Sequence, residues 1–425
     1  MHAVLSLSSI HKRDTYVGVY GTQQDSVLDQ QERFTLQHYT NAIRLLQPHL
    51  SSTDKSSTRT ILITCFVFIC LELLCGRFAT AQSHLQNGLR IIRELKTSPN
   101  TDESFLFLET VPDSVDDSIV KAFCRLEFQL EMFRHTYQHP CLILQTPGPE
   151  LSTCLLQSVK SAWDRLERLF NKIFHLTEQG RHQHQSLDCS FNGYPPWLHA
   201  YQKHVQAELS TCLILLEASR KVLEAQDPKG LACRILFVYH TMAVIMADTS
   251  LRLDDESVYD SHTEQFVSIL NQSVAMHQIG SSGSPKRPLP GSRIHMSRSI
   301  VDVGWIAPLY YTALKCRVHR VRLQAIRLIE KPSYREGIWD SHVAACVSRK
   351  VMDIEEGDLY KDLGVADDFL ISSSPGSEDL SLPKPQLSNR VHEIKVILPD
   401  GPTDTISLHY RKRQENWKEV AVSVQ

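Results

Sequence analysis

No two of the eleven cysteines, at positions 65, 70, 75, 124, 141, 154, 189, 212, 233, 316 and 346, stand at CxxC spacing. Structural zinc sites are built from such convergent pairs, so a zinc ribbon or finger is excluded. Cys65, Cys70 and Cys75 are five apart, about 140° around a helix, and cannot meet on one metal. The odd count and the apolar surroundings of most of these thiols argue against a disulfide framework and for a reducing, intracellular setting. A surplus of positive charge is missing too: the formal net charge is −3 over 425 residues. General electrostatic attraction to a polyanion is therefore absent. Neither GxxxxGK[ST] nor GxGxxG occurs, which disfavours a phosphate-cradling nucleotide fold. The amino terminus has no basic segment ahead of its short apolar stretch, as a secretory signal requires. The strongest apolar run, Ile61 to Cys75, contains Glu72 and is shorter than the roughly 20 residues that span a bilayer. It reads as a buried helix, and no membrane is expected.

What is present is helical periodicity. Apolar side chains recur at steps of three and four in Phe78, Ala81, Leu85, Ile92 and Leu95, and again in Ile119, Phe123, Leu126, Leu130 and Phe133. Asp116, Asp117 and Ser118 precede the second stripe as acidic or capping residues. Further stripes are Val205, Leu209, Cys212 and Leu216; Leu314, Val318, Val321, Ala325 and Leu328; and Val343, Val347, Val351 and Ile354. No period-two run precedes residue 390. Segments 97–103, 146–150 and 179–196 read as connections, and GSSGSPKRPLPG from Gly280 to Gly291 as a mobile loop. From Asp358 to Asn389 the chain is acidic and rich in serine and proline, as a linker is. Beyond it Ile394, Val396 and Leu398 alternate, Pro399 to Pro402 turns, and Ile406, Leu408 and Tyr410 alternate again, predicting a terminal β-hairpin. The expected fold is all-α: one cooperative helical body of antiparallel hairpins over 1–357, a linker at 358–389 and a small hairpin tail at 390–425.

Groups that could carry chemistry read as scaffold. His135 and His139 stand one helical turn apart and His182 and His184 lie nearby, but no HExxH glutamate or third ligand accompanies them. The pairs Asp116-Asp117, Asp254-Asp255 and Asp367-Asp368 lack the DDxxD continuation of a magnesium-diphosphate site. Gly280-Ser281-Ser282-Gly283-Ser284 lacks the closing glycine of a nucleophile elbow. Lys315, Arg317, Arg320, Arg322 and Arg327 make one helix basic, yet no aromatics interleave for base stacking, so a solvated or ion-paired surface is expected. Arg411-Lys412-Arg413 reads as a hairpin end. Glu72, a lone acid in the most apolar helix, is expected to have a structural partner. No catalytic, cofactor-binding or metal-ligating residue is assigned.

Several fragments in order resemble a known family. HAVLSLSSIH (His2–His11), FTLQHYTNAIRLL (Phe34–Leu46) and CFVFICLELLCGRFATAQSHLQNGLRIIREL (Cys65–Leu95) are similar to the opening of the regulatory region of fungal zinc binuclear-cluster transcription factors. AFCRLEFQ (Ala122–Gln129), VDVGWIAPLYYTALKCR (Val301–Arg317), REGIWDS (Arg335–Ser341), Ile354-Glu355-Glu356 and the RVHEIKV tail continue the likeness. Physical roles can be read for some of these positions: Gly76 suits a left-handed carboxyl cap that turns Phe78–Leu95 back against the preceding helix, and Asp340 or Ser341 suits an amino-terminal cap.

The resemblance implies a nuclear, non-enzymatic module of transcriptional control. It would work with protein coregulators or a full-length relative, touch DNA only indirectly and accept an unidentified small-molecule effector. Zinc, held in such relatives by six amino-terminal cysteines, has no ligand set here. Met1 lies almost at the opening helix, so the chain reads as a shortened member or as one whose start lies downstream of a cysteine-rich segment. The rival readings are a helical scaffold or adaptor and an all-helical metal-dependent enzyme.

Overall fold

The structure, a computed structural model, describes residues 1–20, 25–52, 54–96, 105–109, 115–134, 141–145, 155–186, 193–227, 230–281, 295–296, 304–331, 334–398, 405–413 and 415–422. It is built of packed helices, with α1 (His2–Tyr20), α2 (Asp25–Leu50), α3 (Lys55–Leu74) and α4 (Phe78–Lys96) forming the amino-terminal group. Asp54 starts α3 by accepting the amides of Ser56 and Ser57, each at 2.9 Å. Gly76, at φ 72°, ends it: its amide reaches Leu73 O and the Arg77 amide reaches Glu72 O. That is the expected left-handed cap, and α4 returns antiparallel across it. Ile69, Leu73, Phe78, Leu85 and Leu89 from this hairpin join the main core.

Helix α5 (Val115–Arg134) links this group to α6 (Val159–Ser186), α7 (Pro196–Ala218), α8 (Arg220–Gln226), α9 (Leu231–Thr249) and α10 (Thr263–Ser281). Helices α6, α7 and α9 pack mutually around Leu166, Phe170, Leu209 and Tyr239. Next come α11 (Ile306–Lys315), α12 (His319–Glu330) and α13 (Ser341–Glu356). Asp340 caps α13 by accepting the amides of His342 and Val343 at 3.0 and 3.2 Å, as expected of it. Glu336 starts α11 from a distance: its carboxylate accepts the amides of Trp305 and Ile306, each at 3.0 Å. Gly304 makes that approach possible, since a Cβ there would lie 1.9 Å from Glu336 Oε1. Trp339 of the REGIWDS stretch is fully buried edge-on against Phe133, ring centres 4.9 Å apart, and beside Tyr310 at 5.2 Å.

The structure refines or departs from the sequence expectations in several details. The Leu314–Leu328 stripe is two helices, because Cys316 turns extended and Val318 starts α12. Residues 179–186 belong to α6, whose Leu176 packs with Leu198 and Leu251; Gly180 sits where Leu251 would stand 3.0 Å from a Cβ. Strands do occur before residue 390: β1 (Phe105–Glu109) pairs in parallel with β2 (Cys141–Gln145), and β3 (His295–Met296), β4 (Tyr334–Glu336) and β5 (Trp339–Asp340) form a small sheet. FLFLE and CLILQ are nearly continuous apolar runs, as parallel strands are, and carry no alternation to read. The terminal hairpin of β6 (Val391–Ile397) and β7 (Ile406–Lys412) gains a third antiparallel strand, β8 (Lys418–Val422). Segments 97–103 and 146–150, most of the loop after Ser281, and His135 and His139 lie outside the described residues.

Ile394, Val396, Leu398, Ile406 and Leu408 share the main core with the helices, so the sheet is packed on the body. The 358–389 segment also lies on it. It carries α14 (Leu359–Asp362) and α15 (Ser377–Ser381), Phe369 lies under the Arg320 guanidinium at 3.0 Å, and Gln324 donates to Ser373 O at 2.9 Å. By length and composition α3 and α9 could each cross a membrane; 61% and 50% of their apolar windows are buried within the body.

Candidate functional site

The break between α11 and α12 leaves the last carbonyls of α11 without helical partners, and two arginines take them. Arg322 Nε donates to Ala313 O at 2.8 Å and Arg317 Nη1 to Leu314 O at 2.9 Å. Both arginines are fully buried and so need carboxylates. Arg317 Nη2 meets Glu256 at 2.7 Å and Glu355 at 3.0 Å, while Arg322 Nη1 meets Glu355 at 2.7 Å and Glu356 at 3.1 Å. Lys315 Nζ completes the set, 2.8 Å from Glu256 and 3.2 Å from His392 O. Three cations thus face three carboxylates. Burial alone would raise the Glu355 carboxyl, but Arg317 and Arg322 outweigh it and hold the group below the usual carboxylate range. The expected solvated or surface-paired basic helix is therefore corrected for Lys315, Arg317 and Arg322: they are interior groups at the break between two helices. The sequence signal was there in Glu355-Glu356, whose acids fall within an otherwise buried stripe.

This network holds the carboxyl-terminal elements. Glu355 Oε1 also accepts the Val391 amide at 2.7 Å, fixing the start of β6 to α13. Arg390 donates to Glu256 O at 3.0 Å and to Asp260 at 3.0 Å. His319 stands between Glu356, 2.7 Å from Nδ1, and Asp367, 2.9 Å from Nε2. A ring with acceptors at both nitrogens donates twice only as the imidazolium. Burial opposes that charge, but the two carboxylates outweigh it and raise the histidine above its ordinary value.

Beside the network a cleft of about 380 Å³ opens between the end of α6, the turn at Leu253-Asp254 and the terminal sheet. Arg181 and His184 line one wall, and Arg411, Lys412 and Arg413 the other. An adjoining pocket of about 80 Å³, sharing Arg181, Leu253, His392 and Glu393, reaches Lys315 and Glu256. Arg411 to Arg413, read as a mere hairpin end, thus face a concave surface. Nothing local could have shown this, because the other wall comes from residues more than 150 positions away.

The remaining candidates fall apart as chemistry. His184 is 2.5 Å from Asp254, and His182 is 3.3 Å from Glu178 on its own helix. Asp116 pairs with Arg59 at 2.7 Å, Asp255 accepts the Ser257 amide, and Asp368 is exposed. No group of three or more potential ligands converges as a metal site among the described residues. Burial pushes the Cys65 and Cys70 thiols up to about 12 and those of Cys212 and Cys316 up to about 11, so these four are not ready nucleophiles. Glu72 is buried beside the Tyr39 hydroxyl, with Arg77 at 3.7 Å.

Comparison with known proteins bears on the amino-terminal group. Residues 1–125, which run from α1 into α5, match the family model described as fungal specific transcription factor domain. A curated relative, the transcription regulator lscL of Purpureocillium lilacinum, is 28% identical over 104 residues, 24% of this chain and 25% of that protein. The matched stretch thus spans about a quarter of the relative's length. No solved structure matches the chain. The ordered fragments from His2 onward and the helical architecture agree with this likeness of residues 1–125 to a fungal specific transcription factor domain.

Proposed function

We propose that the chain is a non-enzymatic, transcriptional regulator-like module that acts in the nucleus through protein partners, either coregulators or a full-length relative. The observation that carries this reading is the match of α1 to α5 to the fungal specific transcription factor domain, joined by a relative that bears the name of a transcription regulator. Promoter contact by these residues is indirect. They hold no six-cysteine cluster and no positive surplus, the two means by which a zinc-cluster protein reads and grips DNA.

The test is a reporter. Fused to an unrelated DNA-binding domain, the chain should shift transcription from the cognate promoter severalfold in either direction. A fusion that is expressed, nuclear and without effect on the reporter would sink the proposal. In gel-shift titrations at physiological salt the chain alone should show no preference for inverted CGG triplets over random duplex, with substoichiometric zinc by metal analysis. Tight sequence-dependent binding would mean that these residues read DNA themselves.

A further inference from the structure

The cleft beside the terminal sheet carries charges of both signs, with the cations in slight excess. Arg181, Arg411, Lys412 and Arg413 stand against Asp254, Glu393 and Glu415. Those carboxylates are already engaged: Asp254 by His184 at 2.5 Å, Glu393 by Arg411 at 2.7 Å and Glu415 by Lys418 at 2.7 Å. Lys412 and Arg413 form no ion pair within 4.0 Å among the described residues: Arg413 acts on Asp255 and Lys412 on Glu415 only from farther off, and Lys412 Nζ donates to Ile354 O at 3.5 Å. Two cations are thus left on one wall of a concavity large enough for a small organic molecule.

We propose that this cleft binds a compact organic polyanion, carrying either a phosphate group or two or more carboxylates, between the end of α6 and the end of β7. The anion completes the charge balance of Lys412 and Arg413 and braces the sheet against the helices. Arg411 is excluded as the chief anchor because Glu393 already holds it. The site is a property of the chain alone, and it stands or falls separately from the regulatory role proposed above.

Calorimetric titration of the full chain with citrate, glucose 6-phosphate and uncharged glucose tests this. At least one of the two anions should bind with a Kd below about 1 mM. Citrate alone would identify carboxylates as the recognised group, and glucose 6-phosphate alone would identify phosphate. Combining Lys412→Gln with Arg413→Gln should weaken binding at least tenfold. Arg413→Gln alone, at an exposed position, should weaken it about threefold. Arg234→Gln, an exposed charge removal on α9, should leave it unchanged. Failure of both anions to bind, binding of glucose, or equal loss in the Arg234 variant would overturn the proposal.

Discussion

In the α3–α4 hairpin a single carboxylate, Glu72, is buried among apolar side chains, whereas at the α11–α12 elbow Lys315, Arg317 and Arg322 face Glu256, Glu355 and Glu356 in the same core. The hairpin turns on a left-handed glycine that satisfies its own helix end by backbone bonds. The elbow turns on an extended Cys316 and needs arginine side chains to satisfy the exposed carbonyls of Ala313 and Leu314. One turn is thus made locally and the other by partners drawn from residues 256, 355 and 356. Apolar packing tolerates repacking, while a desolvated charge tolerates only its counterion.

The largest effect should come from breaking the elbow. Arg322→Met removes the donor to Ala313 O and leaves buried carboxylates short of a counterion, so it should cost roughly 3–5 kcal/mol in denaturant unfolding. A cost under about 1 kcal/mol would show that the two turns are energetically alike. Because Arg317 and Arg322 hold Glu355 below the ordinary carboxylate range, its contribution is present above its unfolded value and is lost as pH falls through the lower folded one.

That asymmetry explains what was legible in the sequence. The α3–α4 hairpin, α5, α13 and the cap at Asp340 follow from patterns within some twenty residues, so periodicity and turn chemistry suffice to find them. The elbow does not. Arg317 and Arg322 look like surface residues to any rule that counts charge as polar, and their partners lie 33 to 61 positions away. The cleft is hidden for the same reason, since Arg181 and Arg413 meet only in the folded chain. β8 escaped because Lys418 and Glu419 interrupt its short Val420-Ala421-Val422 run, and its pairing with Ile406 to Tyr410 supplies what its own pattern lacks.

A smaller effect should mark the edge of the network. His319 joins Glu356 to Asp367 and so ties the 358–389 segment to α12 and α13. Its folded value is raised, so its stabilisation is present in full below the unfolded histidine value and is lost as pH rises through the folded one. His319→Gln should cost about 1–2 kcal/mol at pH 6, discounted for the half-exposed Asp367, and less at pH 8.5. Melting curves at the two pH values check this; equal losses would mean that the ring contributes only by packing on Tyr360, 4.2 Å away.

The smallest effect should come from Glu72, and it sharpens the comparison most. Its ion pair with Arg77 is long, 3.7 Å, and the arginine is half exposed, so charge contributes little. The Tyr39 hydroxyl, 3.5 Å from His84 Nε2, is the other polar neighbour: burial first, then the nearby Glu72 carboxylate, raise that phenol well above its ordinary value. Glu72→Gln keeps the shape and one acceptor oxygen for Tyr39, and should cost under about 1 kcal/mol. Glu72→Leu removes the acceptor and leaves a half-buried hydroxyl with less to bond, and should cost about 1–2 kcal/mol. The order of the two melting temperatures is the readout. If the leucine variant is the more stable, the hairpin core is apolar throughout, and the elbow alone depends on buried polar partners.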